Sequence, residues 1–330
     1  MHPVALLTSF TAAVLVLSLL PGAPVFAAQT ELTVDALSVV RVKSRAVRDA
    51  RSAATLGTRR EGTGVVIDSK GLVLTIGYLV TEAETVELST TDGKVFPATV
   101  VGSDARTGMA LLRSLAPLPV KPVDFGESSK VAERELVLVV GFDGVAPAYV
   151  VSKRPFVGYW EYLLDEAIYT APATVNWQGA ALLSRDGKLL GIGSLAVGDA
   201  LGTRASLPGN MFVPIDAFKS VLGEYVANGK LSAKPRPWLG VNTQEVQGNV
   251  IVTRVSPEGP ADAAGLRQGD VIVGIGGAEI ADQADFYTKL WASGAAGVDI
   301  TLDVLKGNQV QTYTVKSRDR DSYFRAKPVY

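Results

Sequence analysis

The stretch Gly62-Thr-Gly-Val-Val-Ile-Asp-Ser-Lys-Gly-Leu-Val-Leu-Thr75 contains two short apolar runs that flank the turn sequence Asp68-Ser-Lys-Gly71. Asp and Gly in a short connection between two apolar runs indicate a β-hairpin. The same arrangement recurs at Asp92-Gly-Lys94 and at Arg185-Asp-Gly-Lys188. Because many short valine-rich runs alternate with such turns over residues 32–214, the sequence predicts an all-β barrel or sandwich.

Residues 216–228 follow a different period. Their apolar side chains recur at i, i+3, i+4, i+7 and i+8, which predicts a helix. Asp216 is placed to cap the start of this helix, and Gly229 is placed to end it. The polar, proline-bearing residues 229–237 are expected to be a linker.

A second, mixed α+β unit is predicted over residues 238–317. Helices are expected at 260–264 and 283–291. The predicted strands of this unit are 250–255, 271–275, 298–305 and 309–315. Residues 318–330 alternate charged and aromatic side chains and are predicted to be a flexible tail.

The composition restricts the chemistry of this chain. It has 330 residues, no cysteine and one histidine, His2, which lies at the start of an apolar N-terminal segment. If that segment is removed, no imidazole or thiol remains for a catalytic triad, for a zinc site or for haem ligation, and no disulfide can form. With 32 basic and 33 acidic residues, the chain also lacks the positive charge typical of a nucleic-acid-binding protein.

The N-terminus predicts export. Residues 4–20 carry no charge, Pro21 and Pro24 interrupt the apolar run, and small residues allow cleavage after Ala27. Residues 1–27 are therefore interpreted as a signal peptide, with an uncleaved membrane anchor as the alternative. Either interpretation places the rest of the chain outside the cytoplasm, in the periplasm or secreted.

Several segments occur together in an order that resembles the HtrA (Deg) family. This resemblance implies a trypsin-like domain of two six-stranded β-barrels over residues 32–228, followed by a smaller α+β PDZ domain over residues 238–317. The segments that carry it are 62–75, 100–104 with 110–112, 179–182 with 187–192, and 212–216.

The resemblance also locates the positions of the family's catalytic residues. Tyr78 stands at the position of the histidine, Gly108 at that of the aspartate and Gln178 at that of the serine. Because none of these side chains can act as nucleophile or base in a triad, we expect no proteolysis and predict that the chain is not an enzyme. The alternative is a residual or repurposed serine hydrolase that uses other residues.

The second unit retains the pattern of a PDZ peptide groove. The segment Trp238-Leu239-Gly240-Val241 resembles the loop whose backbone N–H groups bind a C-terminal carboxylate. Phe286 and Leu290, on the helix 283–291, are predicted to line the other wall of the groove. The alternative is a PDZ domain that packs against its neighbour and has a closed groove.

These observations predict a PDZ-containing protein that binds protein C-termini or unfolded peptides. It would serve as a scaffold, a chaperone-like holder or a regulator of an active HtrA-like protease. A homo-oligomer or mixed oligomer is implied by the resemblance. No cofactor, metal ion or nucleic acid is expected.

Overall fold

Two closed β-barrels form the first part of the described chain. The hairpin signals left a barrel or a sandwich open, and the two barrels are those that the resemblance implies. The computed structural model describes residues 37–203 and 206–325. In the first barrel the strands follow the order β1-β2-β3-β6-β5-β4, and a short helix, α1 (Ala53–Leu56), lies between β1 and β2. The strands are β1 (Val39–Ala46), β2 (Arg59–Val66), β3 (Leu72–Ile76), β4 (Ala83–Ser89), β5 (Val95–Ser103) and β6 (Met109–Ser114).

The second barrel has the strand order β10-β11-β12-β9-β8-β7. Its strands are β7 (Leu136–Gly141), β8 (Gly144–Gly158), β9 (Tyr162–Ala171), β10 (Ala181–Leu183), β11 (Leu189–Val197) and β12 (Gly209–Pro214). The pair β8 and β9 is joined by a tight turn at residues 159–161. Fully buried side chains such as Leu182 and Phe212 fill this barrel.

Helix α2 (Ile215–Asn228) follows the second barrel, close to the predicted bounds. Its C-terminal end agrees with the prediction, because Gly229 adopts a left-handed φ of 69° and donates its N–H to the Tyr225 carbonyl oxygen. Its start differs, since Asp216 lies inside the first turn rather than at the cap. The Asp216 carboxylate instead accepts hydrogen bonds from the Ser129 N–H at 2.9 Å and from Lys219 Nζ at 2.8 Å.

The third unit is a sheet with the strand order β13-β14-β15-β17-β18, with β16 paired to β15. Its strands are β13 (Val241–Val246), β14 (Asn249–Val255), β15 (Val271–Ile275), β16 (Ala278–Glu279), β17 (Asp299–Lys306) and β18 (Gln309–Lys316), and its helices are α3 (Pro260–Ala263) and α4 (Gln283–Ala292). For β14, β15, β17, β18, α3 and α4, the bounds agree with the predicted elements to within one residue at each end. The predicted fold class, two six-stranded barrels followed by a smaller α+β domain, is confirmed.

Residues 318–325, predicted to belong to a flexible tail, lie against both domains. They include the short helix α5 (Arg320–Tyr323). The Tyr323 ring packs on Trp238 at 4.7 Å between centroids, and the Arg51 guanidinium lies 4.4 Å from the centre of the same Tyr323 ring. The N–H of Arg325 donates to the Glu82 carboxylate at 2.7 Å. Because Arg51 and Glu82 belong to the first barrel, this segment connects that barrel to the start of the PDZ domain.

The predicted signal peptide and the last five residues lie outside the described residues. Within the ranges that the structure describes, no helix is long and apolar enough to span a membrane.

Candidate functional site

The three positions predicted to correspond to catalytic residues lie at the seam between the two barrels. The N–H of the residue before Tyr78 donates to the Gly108 carbonyl oxygen at 2.6 Å. The Tyr78 hydroxyl crosses to the second barrel and donates to the Ser194 carbonyl oxygen at 2.9 Å. A Cβ atom on Gly62 would lie 2.7 Å from the Gln178 carbonyl oxygen and against the side chain of the residue after Tyr78. The fold therefore brings the three positions together.

The residues at these three positions form hydrogen bonds and packing contacts. Burial raises the pKa of Tyr78 well above its ordinary value, so this hydroxyl stays a neutral donor and is no base at physiological pH. Gly108 has a left-handed φ of 74°, and a Cβ there would lie 3.4 Å from the Tyr162 hydroxyl. Gln178 carries an amide, which has no nucleophilic oxygen of the kind that serine provides.

The PDZ loop predicted to bind a carboxylate holds one in this structure. The backbone N–H groups of Leu239, Gly240 and Val241 all donate to the carboxylate of Glu161, at 3.0, 2.7 and 3.0 Å. Gly240 has a left-handed φ of 82°, which only glycine adopts readily, and this turn lets successive N–H groups point at one anion. The loop therefore has the geometry of a carboxylate-binding site.

The backbone of the β8–β9 turn lies in the remainder of the groove. The Thr243 N–H, on β13, donates to the Tyr159 carbonyl oxygen at 2.8 Å, as it would to an added strand. The Tyr287 hydroxyl donates to the Gly158 carbonyl oxygen at 2.9 Å. The same hydroxyl accepts the N–H of Glu161 at 3.2 Å. One turn of the second barrel thus contacts both the strand and the helix that border the groove.

The predicted loop residues contribute mainly through their backbone. The side chains of Leu239 and Val241 are buried in the core of the PDZ domain, and only their N–H groups reach the carboxylate. Trp238 donates no hydrogen bond to Glu161. Its backbone pairs with Arg318, and its ring packs on Tyr323.

Helix α4 presents a different face to the groove from the one predicted. Phe286 and Leu290 are fully buried in the PDZ core. The groove wall is formed by Gln283 and Tyr287, which stand one helical turn apart and both bond to the Gly158 carbonyl oxygen. The physical reason is that the apolar stripe of an amphipathic helix packs into the core, so the polar groups at the edge of that stripe are the ones that reach the groove and contact the β8–β9 turn.

Burial controls the electrostatics of the carboxylate. It raises the pKa of Glu161 to about 7, while the N–H groups of the loop and the positive charge of Arg320 act in the opposite direction. Burial likewise raises the pKa of Tyr287 to about 12, so its hydroxyl is neutral. Glu161 is thus the titrating group at this contact.

The described residues contain no candidate metal-binding site. In residues 37–203 and 206–325, no group of three His, Cys, Asp or Glu side chains is arranged to hold a metal ion.

Comparison with known proteins identifies the two parts of the chain. Residues 62–192 match the family described as trypsin-like peptidase domain, and residues 237–317 match the PDZ domain. A putative serine protease HhoA from Synechocystis is 27% identical over 286 residues, covering 78% of this chain and 70% of the relative. A probable periplasmic serine endoprotease, DegP-like, from Marinomonas is 30% identical over 249 residues, covering 68% of this chain and 50% of the relative. The chain thus spans about half the length of this second relative.

Solved structures show the same fold. The HtrA-type protease AlgW with a decapeptide superposes with a TM-score of 0.52 at 22% identity, covering 89% of this chain and 97% of that chain. The serine endoprotease from Yersinia pestis gives a TM-score of 0.50 at 21% identity, covering 86% and 94%.

The comparisons correct one prediction. Tyr78, Gly108 and Gln178 led us to expect that the chain is not an enzyme. The curated relatives are named serine proteases or endoproteases, and the superposed structures are proteases. The comparisons therefore point to a protease, and the classification as a non-enzyme is wrong.

Proposed function

Because this chain belongs to the HtrA family, with a trypsin-like peptidase domain followed by a PDZ domain, we propose that it binds the C-termini of peptides or unfolded proteins through the PDZ domain. The observation that carries this proposal is the convergence of the N–H groups of Leu239, Gly240 and Val241 on one carboxylate. A free C-terminus presents the same two oxygen atoms, followed by a backbone that can pair with β13. The decapeptide in the AlgW structure agrees with this role.

Binding to the full chain tests the proposal. The probes are a fluorescent peptide pool with randomised C-terminal residues and a free carboxyl end, and the same pool with an amidated end. We expect saturable binding of the acid pool that the amide pool does not show. Gly240→Val is expected to abolish binding, because a Cβ at φ 82° is strained and crowds the Trp238 ring. Equal affinity for acid and amide would contradict the proposal.

In this proposal the PDZ domain keeps the peptide or unfolded protein bound. In this role the protein acts as a scaffold, a chaperone-like holder or a regulator of an active HtrA-like protease, alone or in an oligomer. Suppression of light scattering by an aggregating reporter protein tests the holder role. The expected result is suppression that a free-acid peptide competes away and an amidated peptide does not.

A second candidate function is a serine hydrolase, which the names of the relatives favour. Because His2 is the one histidine in the sequence, a base other than imidazole would have to serve the trypsin-like domain. A fluorophosphonate probe on the purified chain tests this candidate. Stoichiometric labelling of one serine, with casein cleavage lost when that serine is replaced by alanine, would support it. Absence of labelling and of cleavage would contradict it.

Export to the periplasm fits both candidates. It rests on the apolar residues 4–20, the small residues before position 28 and the periplasmic relatives. N-terminal sequencing of the native protein is expected to begin at Ala28, and a chain that begins at Met1 in the cytoplasmic fraction would contradict this.

A further inference from the structure

The carboxylate bound in the PDZ loop belongs to the same chain. Glu161 lies on the turn between β8 and β9, and its two oxygens accept all three N–H groups of the loop. A site of three converging N–H groups accommodates one carboxylate. A C-terminus that enters the loop must therefore displace Glu161.

The backbone of the same turn takes the place of a peptide strand. Its Tyr159 carbonyl oxygen accepts the Thr243 N–H at 2.8 Å, which is the bond that an added strand would make with β13. Its Gly158 carbonyl oxygen accepts the Tyr287 hydroxyl, on α4. Both the carboxylate site and the strand site of the groove are thus filled by one turn.

The turn is built to hold this position. Glu161 is 6% exposed and has a left-handed φ of 55°, an uncommon conformation for glutamate that persists where contacts impose it. The adjacent Trp160 ring stacks on Tyr162 at 5.3 Å. The Tyr162 hydroxyl in turn donates to the Thr107 carbonyl oxygen at 2.6 Å, which fixes the base of the turn to the first barrel.

We infer that Glu161 is an internal ligand that closes the PDZ groove by competing with C-terminal carboxylates. This inference rests on the proposed function. A tethered ligand acts at an effective concentration set by its tether, on the order of millimolar or above for short connections. An external peptide therefore binds only the fraction of molecules whose turn is displaced, and its apparent affinity falls by that fraction.

Three versions of the full chain test the inference: the native protein, Glu161→Ala and Asp165→Ala. Alanine removes the accepting oxygens, whereas glutamine would keep one that can still accept the N–H groups of the loop. Asp165→Ala is a matched control, because Asp165 lies four residues away, on β9, is exposed, and also loses its carboxyl group. The probes are the acid and amide peptide pools described above. Native-like circular dichroism of each variant is checked first.

We expect Glu161→Ala to bind the acid pool at least about tenfold more tightly than the native chain, while Asp165→Ala matches the native chain. Equal affinity of the native chain and Glu161→Ala for the acid pool would overturn the inference and leave the proposed function standing. If no version prefers the acid pool to the amide pool, the proposed function fails, and the inference fails with it.

Hydrogen exchange supplies a measurement that does not depend on affinity. The amides of Leu239, Gly240 and Val241 should be protected in the native chain without peptide, and exchange faster in Glu161→Ala. Adding the acid pool should restore their protection in that variant. Equally fast exchange in both chains without peptide would overturn the inference.

Discussion

Raising the pH from 5 to 8 is expected to weaken the contact between Glu161 and the PDZ loop. Burial raises the pKa of this carboxyl group from 4.5 to about 7 while the turn is docked, and displacement returns the group to solvent. Docking therefore takes up a proton. The free energy that this proton uptake contributes to docking is fully present below pH 4.5 and is lost as the pH rises through about 7.

The size of the effect follows from these two pKa values. Their difference corresponds to about 3 kcal/mol, and from pH 5 to pH 8 the ratio of docked to displaced turn falls about 70-fold. The charged and titratable groups that face Glu161 do not change over this range. Arg320 stays a cation, and Tyr287, with its pKa of about 12, stays neutral.

The assay is the affinity of the acid peptide pool for the full chain at pH 5, 6, 7 and 8. A free peptide C-terminus is ionised throughout, because its ordinary pKa is about 3.5. Proton uptake by the bound peptide is the same for both chains, so we compare the affinity of Glu161→Ala with that of the native chain and expect this ratio to fall at least tenfold from pH 5 to pH 8. The reasoning is refuted if the ratio is constant or rises with pH while the variant binds the pool.

Three further changes probe other contacts. Tyr78→Phe should lower the free energy of unfolding by about 1 kcal/mol, because the Ser194 carbonyl oxygen loses its donor; an unchanged urea midpoint would contradict this. Arg51→Ala should speed chymotrypsin cleavage after Tyr323, because the cation–π contact and the hydrogen bond from Arg51 to the Tyr323 carbonyl oxygen are lost. An unchanged cleavage rate would contradict the packing of residues 318–325 against the first barrel. Leu74→Ala, in the fully buried core of the first barrel, should lower the free energy of unfolding, measured by thermal denaturation, by about 2–5 kcal/mol. A decrease well below this range would mean that the barrel repacks around the cavity.

Local sequence signals were sufficient for the framework of this molecule. The turn at 68–71 joins β2 to β3 because Asp68 Oδ1 accepts the N–H groups of Lys70 and Leu72, a short-range interaction encoded in adjacent residues. Gly229 likewise ends α2 through its own left-handed backbone. Elements fixed by such local chemistry could be predicted without knowledge of the rest of the chain.

The functional contacts depend on distant parts of the chain, and the sequence pattern does not contain them. Apolar periodicity predicts the buried stripe of α4, with Phe286 and Leu290, but it does not indicate that Gln283 and Tyr287 face a groove. Glu161 carries no motif. Its role depends on a loop 78 or more residues away, which only the three-dimensional fold brings to it.

The attachment of the PDZ domain at both of its ends has a kinetic consequence. Residues 229–237 connect its first strand to α2, and residues 318–325 fasten its last strand to the first barrel through Arg51 and Glu82. A domain held at two points stays beside the turn after each opening, so reclosure is a fast intramolecular step. Peptide capture then waits for spontaneous opening, and the observed association rate should level off as the peptide concentration increases, at a ceiling set by the protein alone.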